Sequence, residues 1–464
     1  MGQERLHNSF PCQLLPEEPA AAKLLGLYPQ RQEGLWMQRV RVLGGRLTAE
    51  QWMTLAQVAR KLTPGEPLHL TTRQDLEIHG LTEQTVPEAQ RLLALAGLTG
   101  LGACGDTIRN VTVCPCSGLA DNAPDLVPLA HRLTDLLQSR QGAFSLPRKF
   151  KISLSACREG CGQPWINDLG FVATRAGQDD GWKFQAVLAG SLGAKPATGI
   201  VYGRLLEANE VLPLTLAAFR VFAAHGDREH RHTARLRHVR QRLGDAAFLE
   251  LLDREFAAVL GEQVWPAIPL AEPESGFVFK RGLLFEDGNL AASAGEGLAA
   301  LARREDLRVR ISNHHRVAVF ARDELALGAA LAETRLDRFT KPGPRVVACP
   351  GTRWCARGLA DTGRLAAAVR GQLTGVAVGD MLIAISGCPN GCAHSAVADV
   401  GAIGVVAGSA ADRREAWNLL AGGERGQGPR LAQPVAGRVS LDEAAVKIVE
   451  LAVQAAASGP AGRE

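Results

Sequence analysis

Two pairs of cysteines near the end of the sequence offer the clearest chemistry. Cys349 and Cys355 are spaced C-x5-C in Cys-Pro-Gly-Thr-Arg-Trp-Cys, and Cys388 and Cys392 are spaced C-x3-C in Cys-Pro-Asn-Gly-Cys. Four thiolates from two loops match what a [4Fe–4S] cluster needs, one for each iron. The Gly and Pro residues around them are typical of backbone that turns closely around a cofactor. The spacing therefore predicts a [4Fe–4S] site.

Zinc is the first alternative to an iron–sulfur cluster as the group bound by these four thiols. Structural zinc sites favour short spacings with C-x2-C as the usual form, and neither pair has that form. Disulfides, or buried thiols without a chemical role, would also account for four cysteines in this part of the chain.

Basic residues in strand-like segments indicate an anion site. The segment 146–154 alternates, so that one strand face would carry Lys149, Lys151 and Ser153, and the other Phe150, Ile152 and Leu154. Two lysines on one face repel each other unless an anion lies between them, although a solvated sheet face is an equally simple interpretation. Further polar candidates lie in or beside strand-like segments: Arg39, Arg41, Arg109, and, in a predicted strand over 68–80, Arg73 and His79.

Length and composition limit the class of protein. A chain of 464 residues is too long for one core, so two or three domains are expected. A hydrophobic content of 46%, a charged content of 22% and a net charge of +4 describe a globular protein with no argument for nucleic acid. No signal peptide and no bilayer-spanning apolar run is visible. We therefore expect a cytoplasmic protein with no membrane partner.

The sequence repeats itself, which predicts a duplicated fold. A strand–helix–strand order near residues 34–80 recurs over 276–320, and Cys157-x3-Cys161 with Asp168 seven residues later matches Cys392 with Asp399 seven residues later. The Pro-rich stretch 266–275 is interpreted as the linker. Capping boxes predict helix starts at Thr48 and Ser440. Periodicity predicts a helical stretch over 229–260, with its Arg and His residues on the solvated face.

Taken together, the motifs resemble the siroheme-containing sulfite and nitrite reductases over about 26–406. Besides the cysteine pairs, Leu-Thr-Thr-Arg-Gln, Arg-Asn-Val-Thr and Leu-Pro-Arg-Lys-Phe-Lys occur in that family's order. The resemblance implies an α+β fold with two ferredoxin-like half-domains paired in one lobe, at 1–98 and 272–340. It also implies two α/β cofactor-binding domains, at 99–265 and 341–464.

The resemblance also implies roles for individual residues. It gives Cys349, Cys355, Cys388 and Cys392 as the cluster ligands, with Cys392 also the axial ligand of the siroheme iron. The cations around the substrate would be Arg39, Arg109, Lys149 and Lys151, and the siroheme-binding residues Arg73, Thr71, His79 and, less directly, Arg31. Siroheme is a polycarboxylate, so its pocket must supply many Arg and Lys partners.

The expected activity is the six-electron reduction of sulfite to sulfide, with electrons from a separate ferredoxin or flavoprotein. The motivating feature is Lys149-x-Lys151, since nitrite-preferring relatives tend to have Asn at the second position. Three further functions stay open: nitrite reduction to ammonia on the same cofactors, a precorrin-3B synthase-like Fe–S oxygenase, and a paralogue that only binds a cofactor.

Some residues depart from the family's pattern. Asp75 stands where Asn is common, and Asn313-His314-His315 stands where a Gln-Asn pair often helps to hold the haem. In the first half, Cys114 and Cys116 are too close together to reach different irons of one cubane without strain. With Cys157 and Cys161 they are interpreted as a remnant of the duplication, and a second cluster at these four cysteines is the alternative. No chemistry is assigned to Cys104, which would line the pocket.

Overall fold

The computed structural model describes residues 19–120, 123–175, 177, 181–340, 343–409, 412–426 and 428–457. The first half-domain consists of α1 (Pro19–Leu24), β1 (Leu27–Pro29), β2 (Trp36–Val40), α2 (Ala49–Leu62), β3 (Leu68–Leu70), β4 (Leu76–Leu81) and α3 (Val86–Leu95). The first cofactor domain follows with β5 (Thr112–Val113), α4 (Val127–Gln138), β6 (Ile152–Ser155), β7 (Leu169–Thr174), β8 (Lys183–Leu188), β9 (Ile200–Glu207), α5 (Val211–His225), α6 (Leu236–Leu243) and α7 (Asp245–Glu262).

The second part of the chain repeats this order. The second half-domain consists of β10 (Phe279–Leu284), β11 (Asn289–Leu290), α8 (Ala292–Ala302), β12 (Leu307–Ile311), β13 (Arg316–Ala321) and α9 (Glu324–Glu333). The second cofactor domain consists of β14 (Arg345–Ala348), α10 (Gly351–Trp354), α11 (Thr362–Gln372), β15 (Leu382–Ser386), β16 (Val400–Ala407), β17 (Arg414–Ala421), β18 (Gln433–Val439) and α12 (Leu441–Ala457). None of the described helices is long and apolar enough to cross a bilayer.

The two half-domains share one lobe. Strand β11 of the second pairs antiparallel with β3 of the first, which gives a five-stranded sheet of order β1-β2-β4-β3-β11. Helix α2 packs against α8, and the buried side chains of Leu55, Leu68, Leu290 and Leu298 belong to one hydrophobic core. Apolar surface of each half-domain is thus removed from water by the other.

Each cofactor domain is built on a five-stranded mixed sheet with the same topology. The orders are β5-β6-β7-β8-β9 and β14-β15-β16-β17-β18, with the first three strands parallel and the remainder antiparallel. The duplicated α+β architecture is confirmed, whereas the domain boundaries stay a prediction. Both predicted capping boxes are present, since Thr48 Oγ accepts the Gln51 N–H (3.2 Å) and Ser440 Oγ accepts the Glu443 N–H (3.3 Å).

Two predicted strands are shorter in the structure than in the sequence pattern. The stretch 68–80 is not one strand, because β3 and β4 are joined by a turn over 71–75. Thr71 Oγ accepts the N–H groups of Arg73 and Asp75 (3.2 and 3.0 Å), and Gln74 takes a left-handed φ of 64°. Strand β6 begins only at Ile152, so that Lys149 and Lys151 lie on the segment leading into it.

The prediction that the basic residues of 229–260 are solvated is wrong for two of them. The predicted helix over 229–260 begins only at Leu236 and is divided at Gly244, whose φ is 82°, and the start of α6 faces inward. Arg235 and Arg237 retain only 7% and 4% of their exposure. Arg235 is buried because its guanidinium pairs with Asp168 (2.7 Å), a partner that helical periodicity does not reveal.

Candidate active site

The late cysteines lie where two neighbouring parallel strands end. Cys349 follows β14, and Cys388 and Cys392 follow β15. The Cys349 N–H donates to the Ile385 carbonyl (3.1 Å), and the Cys349 Sγ accepts the Gly387 N–H (3.2 Å). These bonds hold the first cysteine loop against the second, as the carboxyl ends of adjacent parallel strands allow.

The four late thiols are close enough to influence one another's pKa values. Burial raises the pKa of Cys349, and the nearby Cys392 and Cys388 raise it further. The pKa values of Cys355 and Cys388 are raised by burial and then, beyond opposing backbone hydrogen bonds, by Cys392. Among the described residues, no three of these four sulfurs all lie within 4.8 Å of one another. Converging but separated thiolates fit a cubane, in which each sulfur binds a different iron.

Cys392 lies at the junction of the two parts of the chain. Its carbonyl accepts a hydrogen bond from the Thr72 hydroxyl of the first half-domain (2.7 Å). Its thiolate is also close enough to Lys149 and Lys151 to oppose the lowering of their pKa values. The segment leading into β6 therefore faces the loop that contains Cys388 and Cys392, across the domain boundary.

Lys149 and Lys151 sit in surroundings that disfavour their charged forms. Burial, followed by Arg109 and Arg235, lowers the pKa of Lys149 to about 7. Burial, followed by Lys149 and Arg73, holds the pKa of Lys151 well below its ordinary value. Within the described ranges neither ammonium has a carboxylate partner. The pair is thus prepared to receive an anion or to give up protons.

Arg39 and Arg109 lie together, and Arg109 is close enough to Lys149 to lower its pKa. Both guanidinium groups donate to the Ala103 carbonyl, Arg109 at 2.7 Å and Arg39 at 3.4 Å. Burial lowers the pKa of Arg109, although the adjacent Cys104 opposes this. Burial would lower the pKa of Arg39 too, but Cys104 and Glu77 together raise it well above its ordinary value. Glu77 accepts from Arg39 Nε at 2.9 Å.

His79 connects the first half-domain to the loop that contains Cys349 and Cys355. Its Nε2 lies 3.1 Å from Glu77 Oε2, and its ring stacks on Trp354 with centroids 4.2 Å apart and planes inclined by 14°. Trp354 immediately precedes Cys355. The His79 Nδ1 is buried without a hydrogen-bond partner in the described part of the chain.

The remaining predicted cofactor-binding residues lie at the same junction in different settings. Arg73 donates to Asn167 Oδ1 (2.8 Å) and to the Ile152 carbonyl (2.7 Å), and burial lowers its pKa to about 9. Thr71 uses its hydroxyl within its own turn. Arg31 is exposed and donates to the Gly358 carbonyl (2.6 Å), beyond Cys355. The structure thus brings Arg31 next to the loop that contains Cys349 and Cys355, whereas Arg73 lies beside Lys149 and Lys151.

Several site residues are not evident from the sequence. Thr72 is adjacent to the predicted Thr71 and makes the contact to Cys392 instead. Arg235, expected in solvent, lowers the pKa values of both lysines. His394, two residues after Cys392, is buried, and burial followed by Lys151 lowers its pKa to about 3. Only the position of His394 beside a cysteine motif could have indicated its place.

Buried donors without partners test whether a polyanionic group fits here. In the described residues, Arg73 Nε, Arg237 Nε and Nη1, His79 Nδ1 and His394 Nδ1 are buried and lack hydrogen-bond partners. Unpaired buried donors are costly, and Arg73 and His394 lie beside the Cys392 loop, so this region calls for an acceptor-rich ligand. A polycarboxylate macrocycle such as siroheme supplies such acceptors, and these residues fit it.

Comparison with protein families decides the class. The family model for the nitrite and sulphite reductase 4Fe-4S domain matches residues 104–260 and 344–455, and the nitrite/sulfite reductase ferredoxin-like half domain matches residues 28–96. The chain belongs to the nitrite and sulfite reductase family. It is accordingly an oxidoreductase that uses siroheme and a [4Fe–4S] cluster in the reduction of nitrite or sulfite.

Some relatives in this family are named as nitrite reductases and others as sulfite reductases. The chain is 30% identical to the assimilatory ferredoxin-dependent nitrite reductase of Haloferax mediterranei, over 95% of this chain and 83% of the relative. It is 26% identical to the sulfite reductase [NADPH] hemoprotein beta-component of Chromohalobacter salexigens, over 84% and 76%. The structure of the Mycobacterium tuberculosis NirA protein has the same fold, with a TM-score of 0.79 at 23% identity over 95% of this chain and 88% of that one.

Proposed function

We propose that this enzyme reduces sulfite to sulfide in a pocket between Cys392 and the cations Arg39, Arg109, Lys149 and Lys151. The observation that carries the proposal is the pair Lys149 and Lys151, half-buried next to Cys392 and without an ion pair in the described residues. Two crowded ammonium groups are stabilised most by the anion with the most charge. Sulfite carries more negative charge than nitrite, so the geometry favours sulfite.

The same lysines supply protons. With a pKa of about 7, Lys149 is close to half protonated at neutral pH, which suits a general acid that donates to a departing oxygen. Lys151 lies beside it with a pKa that is also lowered and can share this role. Arg39 and Arg109 keep their charge and orient the oxyanion, because guanidinium groups retain their protons even when buried.

The assignment of the cofactor-holding residues completes the proposal. Cys349, Cys355, Cys388 and Cys392 would hold the cluster, and the Cys392 thiolate would also serve the siroheme. Siroheme carboxylates would bind Arg73, with Thr71, His79 and Arg31 at the edges of the site, and Arg237, near Arg235, would add buried donors. When bound, the cofactors supply one-electron transfer and the iron at which the anion is reduced.

Electrons come from a separate donor protein in this proposal. A [4Fe–4S] cluster passes electrons one at a time, and the reduction of sulfite to sulfide takes six electrons, so the donor must return repeatedly. The relative from Haloferax mediterranei is named as ferredoxin-dependent, which supports a small redox protein as the donor.

Nitrite reduction to ammonia is the second candidate, because the Haloferax mediterranei relative is named a nitrite reductase at 30% identity. The test compares both anions with the holoenzyme and a chemically reduced viologen donor, measuring sulfide and ammonium. We expect a higher kcat/KM for sulfite. A higher kcat/KM for nitrite together with negligible sulfide would overturn the proposal.

A substitution sharpens this test. Lys151→Asn removes one cation at the substrate, and we expect the ratio of sulfite to nitrite kcat/KM to fall by about tenfold or more. The matched control is Lys183→Asn, since Lys183 lies exposed on β8 and pairs with Glu207 (2.8 Å). An unchanged ratio in Lys151→Asn would contradict the proposed role of this lysine.

A further inference from the structure

Four cysteines of the first cofactor domain come together at a site distinct from the late cluster. Cys114 and Cys116 follow β5, and Cys157 and Cys161 follow β6, so they take the same places in the first sheet that the late cysteines take in the second. The Sγ atoms of Cys116, Cys157 and Cys161 all lie within 4.8 Å of one another.

The sulfur separations identify the kind of metal site. The Sγ–Sγ distances are 3.6 Å for Cys114–Cys116, 4.0 Å for Cys116–Cys157 and 3.9 Å for Cys157–Cys161. Four sulfurs at about 2.3 Å from one tetrahedral ion are separated from each other by about 3.8 Å. The thiolates of a [4Fe–4S] cubane bind different irons and lie about 6 Å apart. These three distances match a single ion and are too short for a cubane; Cys114 joins the group through Cys116 and lies outside the trio whose sulfurs are all within 4.8 Å of one another.

The spacing of the first pair fits the same conclusion. A C-x-C pair strains to reach two irons of one cluster, but both of its thiolates can bind one ion. The Ala156 N–H donates to Cys114 Sγ (3.0 Å), which stabilises a thiolate at the most buried of the four positions. The Cys114–Cys116 distance is far longer than the roughly 2.05 Å of a disulfide.

Surrounding contacts fix the two loops against each other. The Cys161 carbonyl accepts from Asn313 Nδ2 of the second half-domain (3.3 Å), and Cys116 packs against a small core that includes Leu119, Phe277 and Phe320. The ligands are therefore held by three segments of the chain before any ion binds.

We propose that Cys114, Cys116, Cys157 and Cys161 bind one tetrahedral metal ion, Zn²⁺ in a closed structural site. Structural zinc sites are closed and tetrahedral, and four thiolates are one of their usual ligand sets; a mononuclear iron shares that tetrathiolate chemistry. The ion links the loop after β5 to the loop after β6. This site stands independently of the substrate proposal, because it uses none of the late cysteines.

The test is a metal count on the holoenzyme purified without chelators. Iron, zinc and acid-labile sulfide are measured per chain, with siroheme determined from its absorption. We expect one zinc beyond the iron of one cubane and one siroheme, with X-ray absorption at the zinc edge showing four sulfurs at about 2.3 Å. One additional iron without additional sulfide would also support a single-ion site.

Three results would overturn the proposal. They are a wild-type chain without metal beyond the two cofactors, four additional irons with additional sulfide, and disulfides among these cysteines detected by mass spectrometry of alkylated protein. The wild-type count decides between them even where variants fail to fold.

Substitutions then locate the ion. Cys116→Ser and Cys157→Ser are each expected to lower bound zinc by about tenfold or more, with cubane iron and sulfide unchanged. The matched control is Cys12→Ser, a cysteine outside the described residues, which is expected to retain the zinc. Zinc that persists in both Cys116→Ser and Cys157→Ser would place the ion elsewhere and overturn the assignment.

Discussion

The two cofactor domains use the same backbone frame for different chemistry. In the first, Asp168 Oδ2 accepts the Lys151 N–H (2.8 Å), and in the second, Asp399 Oδ2 accepts the Leu382 N–H (2.8 Å). Ser155 Oγ accepts the Gly162 N–H (3.0 Å), as Ser386 Oγ accepts the Ala393 N–H (3.1 Å). Both cysteine loops are therefore closed by the same hydrogen bonds.

Side chains on this shared frame differ at the positions that face the pocket. Lys151 precedes β6, whereas the equivalent Leu382 begins β15, so that only the first domain supplies the lysines. The late loops separate Cys349 and Cys355 by a helical turn, α10, that the C-x-C loop lacks. The frame thus places thiols after two strands in both domains, and loop length decides how far apart the sulfurs stand.

Each half-domain has a turn that contacts a cysteine loop in the other half of the chain. The β3–β4 turn of the first donates from Thr72 to the Cys392 carbonyl, and the β12–β13 turn of the second donates from Asn313 to the Cys161 carbonyl. Each turn contains a left-handed residue, Gln74 (φ 64°) or His315 (φ 56°). Each half-domain therefore supports the cysteine loop of the opposite cofactor domain.

The largest expected effect is the difference between substitutions of Cys392 and Cys161, the last cysteines of the equivalent loops in the two cofactor domains. Cys392→Ser should remove the cluster and abolish reductase activity, because this thiolate is the proposed link between cluster and siroheme. Cys161→Ser should retain the cluster and siroheme absorption, since Cys161 is not among the proposed ligands of the late cluster. The measurements are visible spectra and acid-labile sulfide. Cluster absorption that survives in Cys392→Ser would break the comparison.

Removing the pocket lysine should have the next largest effect. Lys149→Met is expected to lower kcat by about 100-fold, the scale of a lost general acid. In the unchanged enzyme the acid form of Lys149 is present below its pKa of about 7, so the rate should fall as the pH rises through that value. That decline should be absent in Lys149→Met, and Lys183→Met should leave both rate and profile unchanged.

The paired aspartates should differ in their contribution to stability. Asp168 is fully buried and pairs with Arg235, so Asp168→Asn leaves a buried cation and should lower the free energy of unfolding by about 3 kcal/mol. Asp399 and Arg425 are each 15% exposed at 3.3 Å, and Asp399→Asn should cost about 1 kcal/mol. Urea unfolding of both variants tests the order, and equal losses would contradict it.

The smallest expected effect concerns the two hydrogen bonds that run from the half-domain turns to the cysteine loops. Thr72→Val removes the bond to the Cys392 carbonyl and should speed loss of the late cluster under a chelator by about fivefold, which corresponds to about 1 kcal/mol. Asn313→Leu should leave this rate unchanged, because Asn313 contacts the other cysteine loop. Bleaching of the cluster absorption measures both rates, and a similar acceleration in Asn313→Leu would show that the turns do not act separately.

Local patterns in the sequence determined much of the outcome. The duplication, both capping boxes and the family followed from motif order and local pattern, and the paired half-domains followed from the family resemblance. The capping boxes and cysteine motifs depend on residues close together in the chain, such as Thr48 with Gln51 or Cys388 with Cys392. Burial of an apolar face and short-range hydrogen bonds act over such spans, so the pattern alone predicts them.

Tertiary structure alone decided which distant groups meet. Arg235 is buried only because Asp168 lies across from it, and Thr72 rather than Thr71 reaches Cys392 only because the intervening turn orients it. The distances between the first four thiols likewise depend on the pairing of β5 with β6. Charge burial and metal geometry are set by through-space distance, which residue spacing along a chain does not encode.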